Sequence, residues 1–524
     1  MKKNGTWTLA AAGVIALGAL TAGCTAKSGG PGSSPADPST AADGGQSTSN
    51  EKTITYQFLR NWAATEYPAD GGEGRIEVLK ALEKAGIRGF DFKMQFASGD
   101  DYNTKLNLLA TSGQLPDYFD IDPQMLPRFV DQGLIQPLDE YLKEAPHLVK
   151  SVPEEYWKQV TFNGKIYAVP NGTRPEKFNL PTVNGYNIRQ DWLDNLGLKK
   201  PTTLDELHDV LKAFVTRDPD KNGKNDTIGL GVNKNSTFAP IFGAFGIQPT
   251  FWMERNGKIQ KGLTLPEMKQ ALAVLQQWYK EGLIDHDFPI MEPKQMQEKL
   301  TNSITGLWDG DGYYVDKSGN NVVEALFNKT PGAKVAILEA PKGPDGKQGY
   351  AEANSYAASP LRALSAKAQD PKKLFQYLDW MANDGENGGM NLVLYGIEGK
   401  DYTYDKETNT INQKTTYSDL YKRGYSNPIR MMFITDRRWA KPPVREAIEV
   451  VNRHLIRNAM WNVVPAEMDY PDLEKKLYQE YLVKIITGVW PVDKYDEFIQ
   501  KYYDQGGREI EKQANELYKK LNHK

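Results

Sequence analysis

An α/β fold divided between two lobes is what this sequence predicts, on three observations. The roughly 470 residues after Lys52 are too many for one hydrophobic core, because cores stop growing near about 250 to 300 residues and longer chains split. Apolar patterning after Lys52 alternates as β-α-β-α-β, the order of an open α/β sheet. Cys24 is the single cysteine, so no disulfide can brace the fold and burial must hold it together.

Thr53 to Phe58 is rich in β-branched and aromatic residues and predicts the first strand. Arg75 to Ala85 carries Ile76, Leu79 and Leu82 on one helical face, with Gly86 as the stop. Phe90, Phe92, Met94 and Phe96 alternate with mostly polar residues, giving a second strand. A helix over Asn103 to Ser112 and a strand over Asp117 to Ile121 complete the first run. In such sheets ligands sit beyond the carboxyl ends of the strands. A change of unit is expected soon after Gly164 to Pro170. Thr203-Leu204-Asp205-Glu206 has capping-box form ahead of Leu207, Val210, Leu211 and Phe214, and Thr264-Leu265-Pro266-Glu267 repeats the form ahead of a helix through Trp278. Ser303 to Trp308 and Lys334 to Leu338 predict strands, and Asp370-Pro371 starts a helix carrying Leu374, Leu378 and Met381. The last part is mainly helical, from about Leu473 to Ile486 and from Tyr495 to Leu521, interrupted at Gly506-Gly507.

At the amino terminus Lys2 and Lys3 precede an uncharged stretch, Leu9 to Leu20, and then Thr21-Ala22-Gly23 before Cys24, the anatomy of a secretory signal with its cleavage site. It resembles the bacterial lipoprotein signal, which implies cleavage after residue 23, a diacylglyceryl group on the Cys24 sulfur and acylation of the new amino terminus. A transmembrane anchor needs about 20 predominantly apolar residues, and Gly and Thr dilute this stretch. From Thr25 to Lys52 there is no Val, Ile, Leu, Met, Phe, Trp, Tyr or Cys, so residues 24–52 read as a tether that cannot offset its own ordering entropy. Its root-mean-square span is roughly 30 Å. The expected location is the outer face of the cell membrane. A formal net charge of −3, with both signs mixed along the chain, leaves no basic field for nucleic acid.

Asp101 to Asp117, Gly164 to Pro170, Ile188 to Leu193 with Leu196 to Leu198 and Pro201 to Glu206, and Ile304 to Trp308 together resemble extracellular solute-binding proteins. Tyr395 to Gly399, Ile485 to Gly488 and Gly506-Gly507 point to the large lipoprotein subgroup with oligosaccharide-binding members. The resemblance implies a periplasmic-binding-protein-like clamp with a hinge and additional C-terminal helices. It implies a monomer that captures a solute, with a carbohydrate expected, and presents it to the permease subunits of an ABC importer. By the same resemblance, 53–173 form lobe one with about 348–384 returning to it, 174–347 form lobe two, and 385–524 pack largely on lobe two.

The sharpest local motif is Asp218-Pro219-Asp220-Lys221-Asn222-Gly223-Lys224-Asn225-Asp226. Oxygen side chains from Asp218, Asp220, Asn222 and Asp226, with the Lys224 carbonyl and a turn-permitting Gly, follow the first half of an EF-hand loop and point to a structural Ca²⁺. A polar turn held by Asx hydrogen bonds is the alternative. Related calcium-bearing proteins carry Glu after the last Asp, where this chain has Thr227. For ligand contact the candidates are Trp62, Arg189, Trp192, Trp252, Trp308, Asp309, Tyr356 and Trp439, rings to stack on sugar faces and charges to meet hydroxyls or a uronate carboxylate. Core packing competes for every tryptophan. No Gly-x-Ser-x-Gly elbow, P-loop or His-Glu-x-x-His is present, and the five histidines are scattered, so neither catalytic residues nor a catalytic cofactor are expected. A secreted carbohydrate-active enzyme and the binding component of a membrane sensor remain the competing readings.

Overall fold

A computed structural model describes residues 52–522 apart from 64–65, 175, 177–179, 181, 318–320, 354–360, 427–428 and 433. Cys24, the expected signal and tether, and Tyr356 lie outside the described residues. Among those residues no helix is long and apolar enough to cross a membrane.

Nine strands build two sheets: β1 (Ile54–Asn61), β2 (Phe90–Ala97), β3 (Tyr118–Ile121), β4 (Ala168–Val169), β5 (Asn184–Arg189), β6 (Ile228–Gly231), β7 (Thr305–Asp311), β8 (Val335–Ile337) and β9 (Leu361–Leu364). The first sheet runs β2-β1-β3-β9-β4, with β1 parallel to β2 and β3, and β9 antiparallel to both neighbours. The second runs β8-β5-β7-β6, with β6 parallel to β7 and the other pairs antiparallel. Helices cover the first sheet because its central strands are buried on both faces. Tyr56 packs on Phe90 at 4.9 Å, and Phe90 stacks on Tyr377 of the helix Pro371–Ala382 at 4.7 Å. Each sheet carries its own apolar cluster, one centred on Phe58, Phe119 and Leu378, the other on Ile188, Leu211 and Leu275.

Local signals set most helix starts. The Thr203 hydroxyl accepts from the Glu206 N–H at 3.1 Å, while the Glu206 carboxylate reaches Thr202 N–H at 2.7 Å, so the box closes one residue early. Asp370 accepts from the Lys373 N–H at 3.2 Å. The second expected box does not form. Thr264 ends a 3₁₀ turn and donates to the Lys261 carbonyl at 2.7 Å, and the helix begins after Pro266. The first helix, Gly72–Lys84, starts a turn earlier than the apolar face indicates. Gly74 there lies against the Gly424 carbonyl, where a Cβ would collide, and donates to the Arg423 carbonyl at 2.8 Å.

The expectation that 385–524 pack largely on lobe two needs correcting. Met390, Val393, Leu394, Ile429, Met431 and Met432 join the core of the first sheet, whereas the residues from Met460 to Ala514 join that of the second. The chain crosses between the sheets after β4, before β9 and after Ile434, and Gly172–Arg174 pairs parallel with Ile434–Asp436 at the crossing. Gly506, with φ of 133°, breaks the last helix as its glycine pair suggests.

Lys261 fastens the carboxyl-terminal helices to the second sheet's core. Its ammonium, on a residue 5% exposed, lies 2.8 Å from Glu467, 2.9 Å from Glu474 and 4.7 Å from the Trp252 ring centroid. Burial alone would strip its proton, but Glu474 and Glu467 hold its pKa above the ordinary lysine value. Lys261→Ala should therefore destabilise the protein by about 1.5–3 kcal/mol, the scale of a charge-assisted hydrogen bond lost from a buried ammonium to two half-exposed carboxylates. Hydrogen exchange should show residues 460–522 opening first; uniform protection across the chain would refute the fastening role.

Candidate functional site

A cavity of about 230 Å³ opens where the crossing segments meet the second sheet. Asn184 and Asp309 supply its floor from β5 and β7, Gln248 to Phe251 one wall, Tyr350 to Glu352 another, and Tyr478 of the carboxyl-terminal helices a third. Tyr350 is fixed by donating to the Leu338 carbonyl at 2.9 Å while accepting from the Tyr186 N–H at 3.1 Å. Lys261 donates to the Thr250 carbonyl at 3.3 Å, so the residue that holds the carboxyl-terminal helices also holds this wall. Phe251 is half-buried, with its ring edge-on to Trp461 at 5.3 Å. A partly exposed aromatic pair beside carboxylates is suited to a ligand with apolar faces and hydroxyl edges.

Two carboxylates face this space in different states. Glu352 is buried, accepts from Arg457 at 3.1 Å and from the Asn458 N–H at 3.2 Å, and desolvation raises its pKa above the ordinary value. Asp309 remains reachable by solvent, but protein surrounds it on the cavity floor, and the resulting desolvation pushes its pKa up to about 7. It is thus able to donate or accept a hydrogen bond near neutrality.

The structure brings Asp309 into this cavity but not its neighbour Trp308. Successive side chains on β7 point to opposite faces, so Trp308 packs with Met291, Leu300 and Leu326. Three other candidates are also core residues, contrary to expectation. Arg189 is buried in a two-point ion pair with Asp191, at 2.9 and 2.6 Å, and lies over the Trp192 ring at 4.8 Å. Trp192 is itself buried edge-on to Phe214 at 5.2 Å. Trp252 is buried beneath Lys261. Trp62, half-buried past the end of β1, donates to the Tyr421 hydroxyl at 3.1 Å. Trp439 stacks flat on Tyr313, at 4.5 Å and 5°, at the crossing between sheets. Phe251, Glu352 and Trp461 were not foreseen; no spacing rule marks them, and only the Pro249-Thr250 turn hints that Phe251 is displayed.

In the Asp218 loop, the Asn222 amide donates to Asp220 at 2.8 Å and to Asp226 at 3.1 Å, and the Gly223 N–H donates to Asp218 at 3.0 Å. Desolvation and the neighbouring Asp218 raise the Asp220 pKa. Among the described residues, no group of three or more His, Cys, Asp or Glu is arranged to hold a metal. The loop's oxygens suit a hard cation once the Asn222 amide turns its oxygen inward.

The model of the family described as "Bacterial extracellular solute-binding protein" matches residues 68–388. The polygalacturonan/rhamnogalacturonan-binding protein YtcQ of Bacillus subtilis is 26% identical over 526 residues, covering 97% of each chain. The fructooligosaccharide ABC transporter substrate-binding protein FusA of Streptococcus pneumoniae is 30% identical over 43% of this chain and 46% of its own length. Among solved structures, an HMO-binding, ABC-transporter-associated solute-binding protein from Bifidobacterium longum infantis superposes with a TM-score of 0.68 at 18% identity, over 90% of this chain and 99% of its own. That likeness establishes the two-lobed fold.

Because the folded pKa of Asp309 is about 7 and its unfolded value about 3.9, protonation favours the folded state. Its stabilising contribution is complete below about pH 3.9 and is lost as pH rises through about 7. Urea midpoints of the wild type should therefore fall across this window relative to those of Asp309→Asn. Parallel curves for the two proteins would overturn the assignment.

Proposed function

Since the chain belongs to the bacterial extracellular solute-binding protein family, we propose that it captures an oligosaccharide between its lobes and delivers it to an ABC importer. The observation that carries this reading is the match over 97% of both chains to a protein named for binding polygalacturonan and rhamnogalacturonan. The cavity beside Phe251, Asp309 and Glu352 supports it, and the FusA similarity supports the importer as partner. Binding without catalysis is part of the proposal: the cavity's polar groups serve to orient hydroxyls. Cys24 would carry the lipid that keeps the protein at the outer membrane face, with residues 25–52 as the tether. Lobe one comprises 53–173 with 361–434, and lobe two comprises 184–337 with 460–522. A ligand touching both lobes favours closure through contacts absent when they are apart.

A Ca²⁺ ion fits the same reading as a brace in lobe two. Asp218, Asp220, Asn222 and Asp226, with the Lys224 carbonyl, would hold it, and it would neutralise carboxylates that now crowd one another.

Thermal melts of the chain lacking residues 1–24, run against a saccharide panel, test the main reading. A ligand at about 100 times its Kd should add about 2.7 kcal/mol of apparent stability, and Phe251→Ala should weaken binding about tenfold, or about 1.4 kcal/mol. No shift with any saccharide would overturn capture of a carbohydrate, and release of shortened products would establish an enzyme. Removal of Ca²⁺ by chelation should lower the melting temperature, and Asp220→Asn should abolish that response; an unchanged melt would dismiss the brace.

A further inference from the structure

The cavity beside Phe251 carries charge of one sign. Asp309 enters it from β7, and Glu352 stands on the wall that follows Tyr350. No lysine, arginine or histidine is among its described lining residues. The cations at its margins are already engaged: Arg457 donates to Glu352 at 3.1 Å, and Lys261, behind the Thr250 carbonyl, lies 2.8 Å from Glu467 and 2.9 Å from Glu474. Residues 354–360, next in the chain after this wall, include no charged residue.

We propose that Asp309 and Glu352 set the charge selectivity of this cavity, admitting oligosaccharides of neutral rings and rejecting those that carry uronate carboxylates. The assignment rests on the carbohydrate reading above and narrows the class of sugar. Polygalacturonan, with a carboxylate on each ring, falls outside it. The first argument is the unanswered state of Asp309. It stands opposite Tyr186 in the ladder between β5 and β7. The nearby Tyr350 hydroxyl is already committed, donating to the Leu338 carbonyl and accepting from the Tyr186 N–H. Among the described residues Asp309 has the Gly310 N–H as its hydrogen-bond partner and no ion-pair partner. An ionised carboxylate only accepts hydrogen bonds, so its remaining lone pairs suit sugar hydroxyls. A ligand carboxylate has no proton to offer them and brings like charge into a desolvated space.

The second argument comes from the side of the first sheet. Burial raises the Glu352 pKa, the Asn458 N–H and Arg457 oppose it, and the charge of Glu155 raises it further. Glu155 belongs to the helix Glu154–Gln159, whose Trp157 packs in the first sheet's core. Negative charge thus reaches the cavity from both sides of the crossing. Arg457 answers one of these carboxylates, and Asp309 remains. Closure on a uronate sets its carboxylate against this shared field, whereas closure on a neutral sugar meets no such repulsion.

The experiment is calorimetric titration of the chain lacking residues 1–24, at about pH 8.5, where Asp309 is charged. The ligands are the neutral members of the saccharide panel, among them galactotriose, mannotriose, cellotriose and kestose. Each is paired with the form whose primary alcohols are oxidised to carboxylates, and trigalacturonate is the acid of the first pair. At least one neutral sugar should bind, about tenfold or more tightly than its acid, a difference of about 1.4 kcal/mol. Added salt should narrow that preference by screening the repulsion. Asp309→Asn keeps the shape and removes the charge, so it should narrow the preference about tenfold. The variant's ligand-free melt reports whether it folds; should it fail to fold, the wild-type ratio and its salt dependence decide. An acid bound as tightly as its neutral partner, or a preference unchanged in folded Asp309→Asn, overturns the charge selectivity and leaves carbohydrate capture standing. If no saccharide binds, both fall.

Discussion

Two buried arginines at the crossing between the sheets set the frame for everything else. Arg438 holds Asp436 at 2.6 Å and extends to Asn391 at 2.6 Å and Asp384 at 3.1 Å. Arg174, on the strand paired with Ile434–Asp436, donates to the Ala382 carbonyl at 2.6 Å and the His147 carbonyl at 3.2 Å. Among the described residues, the distant partners His147, Ala382, Asp384 and Asn391 lie on the side of the first sheet. Buried charge is tolerated only when fully answered, and removing one partner leaves an expensive remainder. The two crossing strands are thus clamped to the first sheet's core, which places any bending beyond them, toward Asn184 and Trp439. Two apolar cores joined through polar strands can move as bodies without exposing either interior.

Much of this fold was legible because local chemistry and burial agree. Tyr56, Phe58, Phe90 and Phe92 announce strands, and the Thr203 and Asp370 caps announce helix starts. Legibility fails where tertiary contact overrides local form. Thr264 has a capping sequence, but a 3₁₀ turn claims its hydroxyl for the Lys261 carbonyl. The residues between Met390 and Met432 carry apolar side chains that either core would accept, and only the strand pairing at the crossing decides for the first sheet.

The candidate site was less legible for a simple reason. A tryptophan serves a core and a ligand equally well in sequence, and its neighbours decide. Trp192 and Trp308 fill interiors, while Phe251, with no distinguishing spacing, lines the cavity and carries Trp461 edge-on beside it. Asp309 was readable only jointly with Trp308: once β7 buries the ring, alternation must present the carboxyl group on the other face.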